Sequence, residues 1–245
     1  MNPLEELLAR RIRTQGPLTV AEFMAEAAGH PEYGYYATRD PLGRRGDFTT
    51  APEISQVFGE LIGLWCAVVW RQLGRPDPVI LAELGPGRGV LIGDLLRAAA
   101  TVPDFYRALR LHLVEVSAHL RAEQEERLAQ FGPIWVPRFE DLPDGPMLLV
   151  ANEFLDALPI RQFVRRGPHW SERMVTLDEE DHFVFVAGPP SPIARLLIPD
   201  SLRDSTQQGA LVEICPSALA LAAALGTRFS RQAGAALFIE RWERK

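Results

Sequence analysis

The residues of this chain best placed to do chemistry lie in Glu83-Leu-Gly-Pro-Gly-Arg-Gly89, between an apolar run and a helical pattern. Glycines after a buried strand let backbone come close to a ligand, and the helix that follows offers free amides and the positive end of its dipole. Gly85, Gly87 and Gly89, with Pro86 in the turn, are spaced Gly-x-Gly-x-Gly. Dinucleotide sites carry Gly-x-Gly-x-x-Gly instead. Glu83 stands two residues before the first glycine, where a carboxylate can meet a cationic amino group but would repel a pyrophosphate. Glu115 ends the next apolar run and can accept hydrogen bonds from both hydroxyls of a ribose. It follows Gly85 by about thirty residues, against the roughly twenty of dinucleotide folds. These features favour S-adenosylmethionine (SAM), an adenosyl group bearing an amino acid, over NAD. Further on, Glu140-Asp141-Leu142 offers an acid that either faces the adenine amino group or belongs to a solvated turn.

A second constellation is Asn152-Glu153-Phe-Leu-Asp156, after the fourth apolar run. On a helical turn Glu153 and Asp156 share a face, and two carboxylates there can hold a guanidinium and aim one nitrogen at a methyl group. Alternatively, Asn152 caps a short helix and Glu153 complements its dipole. Methyl transfer from a sulfonium is an in-line displacement that needs neither metal nor covalent enzyme intermediate, so positioning carries the catalysis. A cysteine nucleophile would have to be Cys215, whose Cys-Pro context supplies no activating base.

Around these segments the pattern is mainly alternating strand and helix. Residues 3–15 and 19–28 read as helices, the second opened by the capping box Thr19-Val-Ala-Glu22. The segment from His30 through Gly46 reads as a loop in which Arg44 and Arg45 are solvated. Thr50, with Pro52 and Glu53, signals the start of an amphipathic helix running to about Leu73. Strands are expected at 79–84, 111–116, 134–136 and 146–151, with helices at 89–100 and 117–130, which implies a parallel sheet covered on both faces. Residues 160–165, 170–177 and 182–186 break the alternation as an antiparallel insertion, before a helix at 216–229 and a strand at 235–239.

The expected organisation is therefore a helical region at 1–75, a Rossmann-like core at 76–158, an antiparallel β insertion at 159–200, and the last helix and strand of the core at 201–245. A net charge of -6 gives no basic field for nucleic acid. The acidic N-terminus and the absence of a long apolar run point to a cytoplasmic protein without membrane insertion. Cys66 and Cys215 lie far apart and form no metal-binding spacing, so both read as core residues and no metal is expected.

Three ordered motifs, Phe48-Thr-Thr-Ala-Pro-Glu-Ile-Ser-Gln-Val-Phe-Gly-Glu60, Glu83 to Gly89 and Ala151-Asn-Glu-Phe-Leu-Asp-Ala-Leu-Pro159, give the chain a resemblance to the MidA-like methyltransferases. These are relatives of the mitochondrial complex I assembly factor, and the resemblance covers essentially the whole chain. It implies a class I methyltransferase fold and SAM as cofactor. For the mitochondrial relative it implies symmetric dimethylation of an arginine in a respiratory-complex subunit. It also implies that the segment Thr49 to Phe58 packs over the cofactor, with Ser55 and Gln56 at a helix start near the cofactor's carboxylate. Family members commonly read Asp-Tyr-Gly after the fifth strand and continue, whereas Glu240-Arg-Trp-Glu-Arg-Lys245 stands here, so the expectation is a truncated or frameshifted member. Its last strand would then self-associate into a homodimer or be covered by the antiparallel insertion. Two rival functions remain at this stage: a SAM-binding assembly factor that acts by partner binding without transfer, and an NAD-dependent oxidoreductase.

Overall fold

A computed structural model describes residues 2–35, 50–205 and 207–241. The segment from Tyr36 to Thr49, including Arg44 and Arg45, lies outside the described residues. In chain order the first elements are α1 (Pro3–Gln15), β1 (Leu18–Thr19), α2 (Val20–Gly29), α3 (Ala51–Ile54) and α4 (Gln56–Gln72). There follow β2 (Val79–Leu84), α5 (Val90–Ala99), α6 (Pro103–Ala108), β3 (Leu109–Val114), α7 (Ala118–Leu128), β4 (Ile134–Val136) and β5 (Met147–Asn152). The remainder comprises β6 (Arg161–Arg166), β7 (His169–Leu177), β8 (Phe183–Pro190), α8 (Ala194–Leu197), α9 (Asp200–Ser205), β9 (Leu211–Ile214), α10 (Pro216–Phe229) and β10 (Gly234–Ile239). No described helix is long and apolar enough to cross a membrane.

The chain divides into two compact units, residues 1–38 with 157–220, and residues 39–156 with 221–245. The sequence-based organisation drew these boundaries differently, keeping residues 1–75 together as one helical region. In the structure α1 and α2 belong with the antiparallel strands, and α3 and α4 belong with the parallel sheet. β1 also interrupts the N-terminal helices, since Leu18 and Thr19 pair with Val175 and Met174.

In the second unit five parallel strands are ordered β10-β5-β2-β3-β4. Every residue of β2, and Met147 to Ala151 of β5, is buried, because each face of the sheet is covered. One face packs on α4, α5 and Phe105, the other on Leu142, Phe154 and the Leu221 and Leu225 positions of α10. β10 pairs only with β5 among the described residues. The strands of the insertion do not pair with it: β6, β7 and β8 build a separate sheet with β1 and β9.

The first unit is that antiparallel sheet together with α1 and α2, whose Leu8, Ile12 and Val20 pack with Leu18 and Val175. The capping box of Thr19 with Glu22 forms as the sequence implies, and a second joins Asn2 reciprocally to Glu5. Across β6 and β7 the Arg161 guanidinium donates to both carboxylate oxygens of the buried Glu172, at 2.7 and 2.6 Å.

Candidate active site

The loop after β2 turns sharply because three of its residues occupy the left-handed region, Gly85 (φ 59°), Gly87 (φ 53°) and Gly89 (φ 73°). Any Cβ at Gly85 would lie 2.9 Å from Cδ2 of Phe154, so the ring from the Asn-Glu-Phe segment closes directly on the turn. The Gly89 amide donates to Pro86 O at 2.8 Å, and Gly89 leads into α5. At the base of the turn Glu83 is only 2% exposed, and its Oε2 has no hydrogen-bond partner among the described residues. Burial pushes its carboxyl up to about 8. A buried polar atom without a partner costs on the order of 1–3 kcal/mol, so this position calls for a donor that the described residues do not supply.

Glu115 follows β3 and is also buried. Its Oε1 accepts the Ser117 amide at 2.8 Å and its Oε2 accepts Gln124 Nε2 at 3.3 Å. Burial raises its carboxyl above the ordinary value, while the Ser117 and Gln124 hydrogen bonds oppose the shift. Gln124 is wholly buried and also donates to Gly87 O at 2.6 Å, while Trp135 Nε1 donates to its Oε1 at 2.8 Å. This amide thus fixes the glycine turn relative to Glu115. The sequence reading missed it, since one glutamine in the polar helix Ala-His-Leu-Arg-Ala-Glu-Gln carries no local signal.

On the adjacent strand Asn152 is the last residue of β5, in register with Ile239 of β10. Glu153 comes next and adopts φ 53°, a left-handed conformation rare for a residue with a side chain. Its amide donates to Ile239 O at 2.8 Å, so β10 holds it there. The Glu153 carboxyl is raised by burial, then by the charges of Glu240 and Asp156, with Arg241 opposing. Asp156 is exposed in a 3-10 turn, Leu155–Ala157. Glu153 precedes that turn, so the two acids do not share the face of one helix; the backbone reversal at Glu153 brings their charges into interaction. Glu240, which sequence reasoning did not assign, accepts the Leu155 amide at 2.9 Å, and its Oε2 is buried with no partner among the described residues. Its position directly after the apolar run 235–239 was the available signal.

The remaining sequence-derived positions vary in accessibility. Thr50 precedes α3 without a side-chain capping bond, and the expected continuous helix breaks at Ser55 (φ -146°), which precedes α4. Gln56 is the first residue of α4 and donates to Glu60 at 2.7 Å. Asp141 sits in a 3-10 turn where both its oxygens accept Arg138 at 3.2 Å. Leu142 is 5% exposed and packs in the core.

A five-stranded parallel sheet covered on both faces, with a glycine turn after one strand and a buried acid after its neighbour, defines the Rossmann-like class I methyltransferase fold. The chain belongs to the family described as "Putative S-adenosyl-L-methionine-dependent methyltransferase", whose model matches residues 61–240. It is 36% identical to the mitochondrial protein arginine methyltransferase NDUFAF7 of Xenopus tropicalis, over 98% of this chain and 61% of that protein. It is likewise 36% identical to the human protein of that name, over 97% of this chain and 58% of the relative. The chain thus spans about three fifths of the length of these relatives. Among solved structures, a Burkholderia thailandensis protein bound to S-adenosyl-homocysteine matches with a TM-score of 0.79 and 28% identity, over 96% of this chain and 61% of that one.

Proposed function

We propose that this chain binds SAM at the turn after β2 and methylates an arginine side chain of a protein. The observation that carries the reading is Glu83, a buried carboxyl group at the foot of a glycine turn with an oxygen that has no partner among the described residues. The ammonium of an amino-acid moiety is the cationic donor it lacks, and Glu115 offers acceptor oxygens suited to a ribose. The bound cofactor would supply an electrophilic methyl group on a sulfonium, reactive without a metal.

Glu153 and Asp156, with Glu240 behind them, make the end of β5 acidic enough to hold a guanidinium. When the guanidinium nitrogen takes the methyl group the sulfur departs and that nitrogen sheds a proton. A carboxyl raised by burial and by neighbouring acids, as Glu153 is, is suited to receive it. The names of the relatives support arginine and protein as acceptor class. We extend the same support to a respiratory-complex subunit as the substrate, by the resemblance of the motifs.

Cofactor binding and acceptor chemistry separate by mutation. Gly87→Val should abolish SAM binding measured by calorimetry, because a branched side chain at φ 53° is strained and fills the turn. Glu153→Gln and Asp156→Asn should keep SAM affinity within a few fold but lower transfer of label from SAM to proteins of a cell extract by about a hundredfold. Undiminished transfer in both variants would remove these carboxylates from the mechanism.

A further inference from the structure

α4 is apolar on both sides. Gly59, Ile62, Gly63, Cys66, Ala67 and Trp70 are buried against the parallel-sheet unit. On its outer side Val57, Leu61, Leu64 and Val68 are 56%, 61%, 44% and 51% exposed. Their spacing of four, three and four residues is the alternation of a coiled-coil seam, so the four side chains form one stripe along the helix. A helix apolar all round is normally covered all round. Scattered single exposed apolar residues need no explanation, but a contiguous stripe does.

We propose that this stripe is a dimer interface, in which α4 packs antiparallel against α4 of a second copy of the chain. The stripe is its own complement. With the two-fold axis between Leu61 and Leu64, Leu61 of each copy meets Leu64 of the other, and Val57 meets Val68. This is the pairing of unlike seam positions that antiparallel coiled coils use. The ends also match in charge. Glu53 lies in α3, two residues before the break at Ser55, and Arg71 in the last turn of α4, and antiparallel packing brings the glutamate of one copy toward the arginine of the other. A parallel pair would set like charges and like dipole ends together. The contact has four apolar anchors per copy on a helix of 17 residues, so it lies at the small end of specific interfaces.

Sedimentation of the purified chain from about 1 to 200 µM should show a reversible monomer–dimer equilibrium, and Leu61→Glu with Leu64→Glu should weaken it by at least about a hundredfold. Circular dichroism and SAM calorimetry confirm that this variant keeps its fold. Orientation is read by cysteine pairing, using a tagged chain carrying Leu61→Cys mixed with an untagged chain carrying Leu64→Cys. Oxidation should link tagged to untagged chains and neither to itself. A monomer at every concentration overturns the proposal and leaves the stripe to a partner of different sequence. Links within one variant, as a parallel pair would give, overturn it equally, as does a charged variant that dimerises like the parent.

Discussion

Each unit of this molecule buries a glutamate in a sheet, and the two are treated in opposite ways. In the antiparallel unit Glu172 receives both arms of the Arg161 guanidinium and has no need of anything further. In the parallel unit Glu83 is more deeply buried and has an oxygen that no described residue satisfies. Burial alone does not distinguish a structural carboxylate from a functional one. The distinguishing feature is whether the fold completes the hydrogen bonding itself or leaves it to a ligand.

The largest test of that contrast is the pH dependence of stability. Folding raises the Glu83 carboxyl to about 8, so between the ordinary carboxylate value and about 8 the folded state holds the proton that the unfolded state has released. Stability of the ligand-free chain should therefore fall as pH rises through that window and level off above it, by up to roughly 5 kcal/mol. Glu83→Gln should remove this slope, matching the parent near pH 5 and exceeding it in chemical denaturation at pH 9. A difference independent of pH would contradict the assignment. Next in size, Arg161→Ala strands a buried acid and should cost about 3 kcal/mol at neutral pH, most of it recovered by adding Glu172→Met.

A pair of glycines sharpens the comparison further. Gly85 and Gly167 have the same φ of 59°, but a Cβ at Gly167 meets nothing within 4 Å whereas at Gly85 it meets Phe154. Gly167→Ala should cost about 1 kcal/mol of backbone strain. Gly85→Ala should cost roughly 2 kcal/mol and regain part of that when Phe154 becomes Leu. Equal melting shifts for the two alanines would mean that the Phe154 ring moves aside freely. The smallest effect concerns Glu153, where Gly relieves the left-handed strain: Glu153→Gly should stabilise the chain by up to about 1 kcal/mol while transfer falls.

What the sequence made legible follows the same division. β2 and β5 stood out because strands covered on both faces are written as unbroken apolar runs, and the glycine turn stood out because only glycine takes those dihedrals. Less visible were contacts made by residues far apart in the chain. β1 has two residues and exists only because β7 is beside it. β9 is short and half-buried, below the length at which alternation declares itself. Gln124 and Glu240 gain their roles from Gly87 and from the Leu155 amide, distant partners that no local pattern names. Thr50 and Glu53 did mark a helix start, but the break at Ser55 is a backbone event without a glycine or proline at that position.

The antiparallel unit is assembled from two separated lengths of chain, and Leu18 must find Val175 to close it. On a ribosome adding 5–20 residues per second, the N-terminal helices emerge roughly 8–30 s before the strand they need has been made. β2, β3 and β5 become available earlier, by residue 152, so the cofactor half of the molecule can begin to collapse while the first 35 residues still wait with Leu8, Ile12 and Val20 uncovered. Until β7 has been made, Leu8, Ile12 and Val20 stay uncovered, and that interval is when a chaperone would engage the chain.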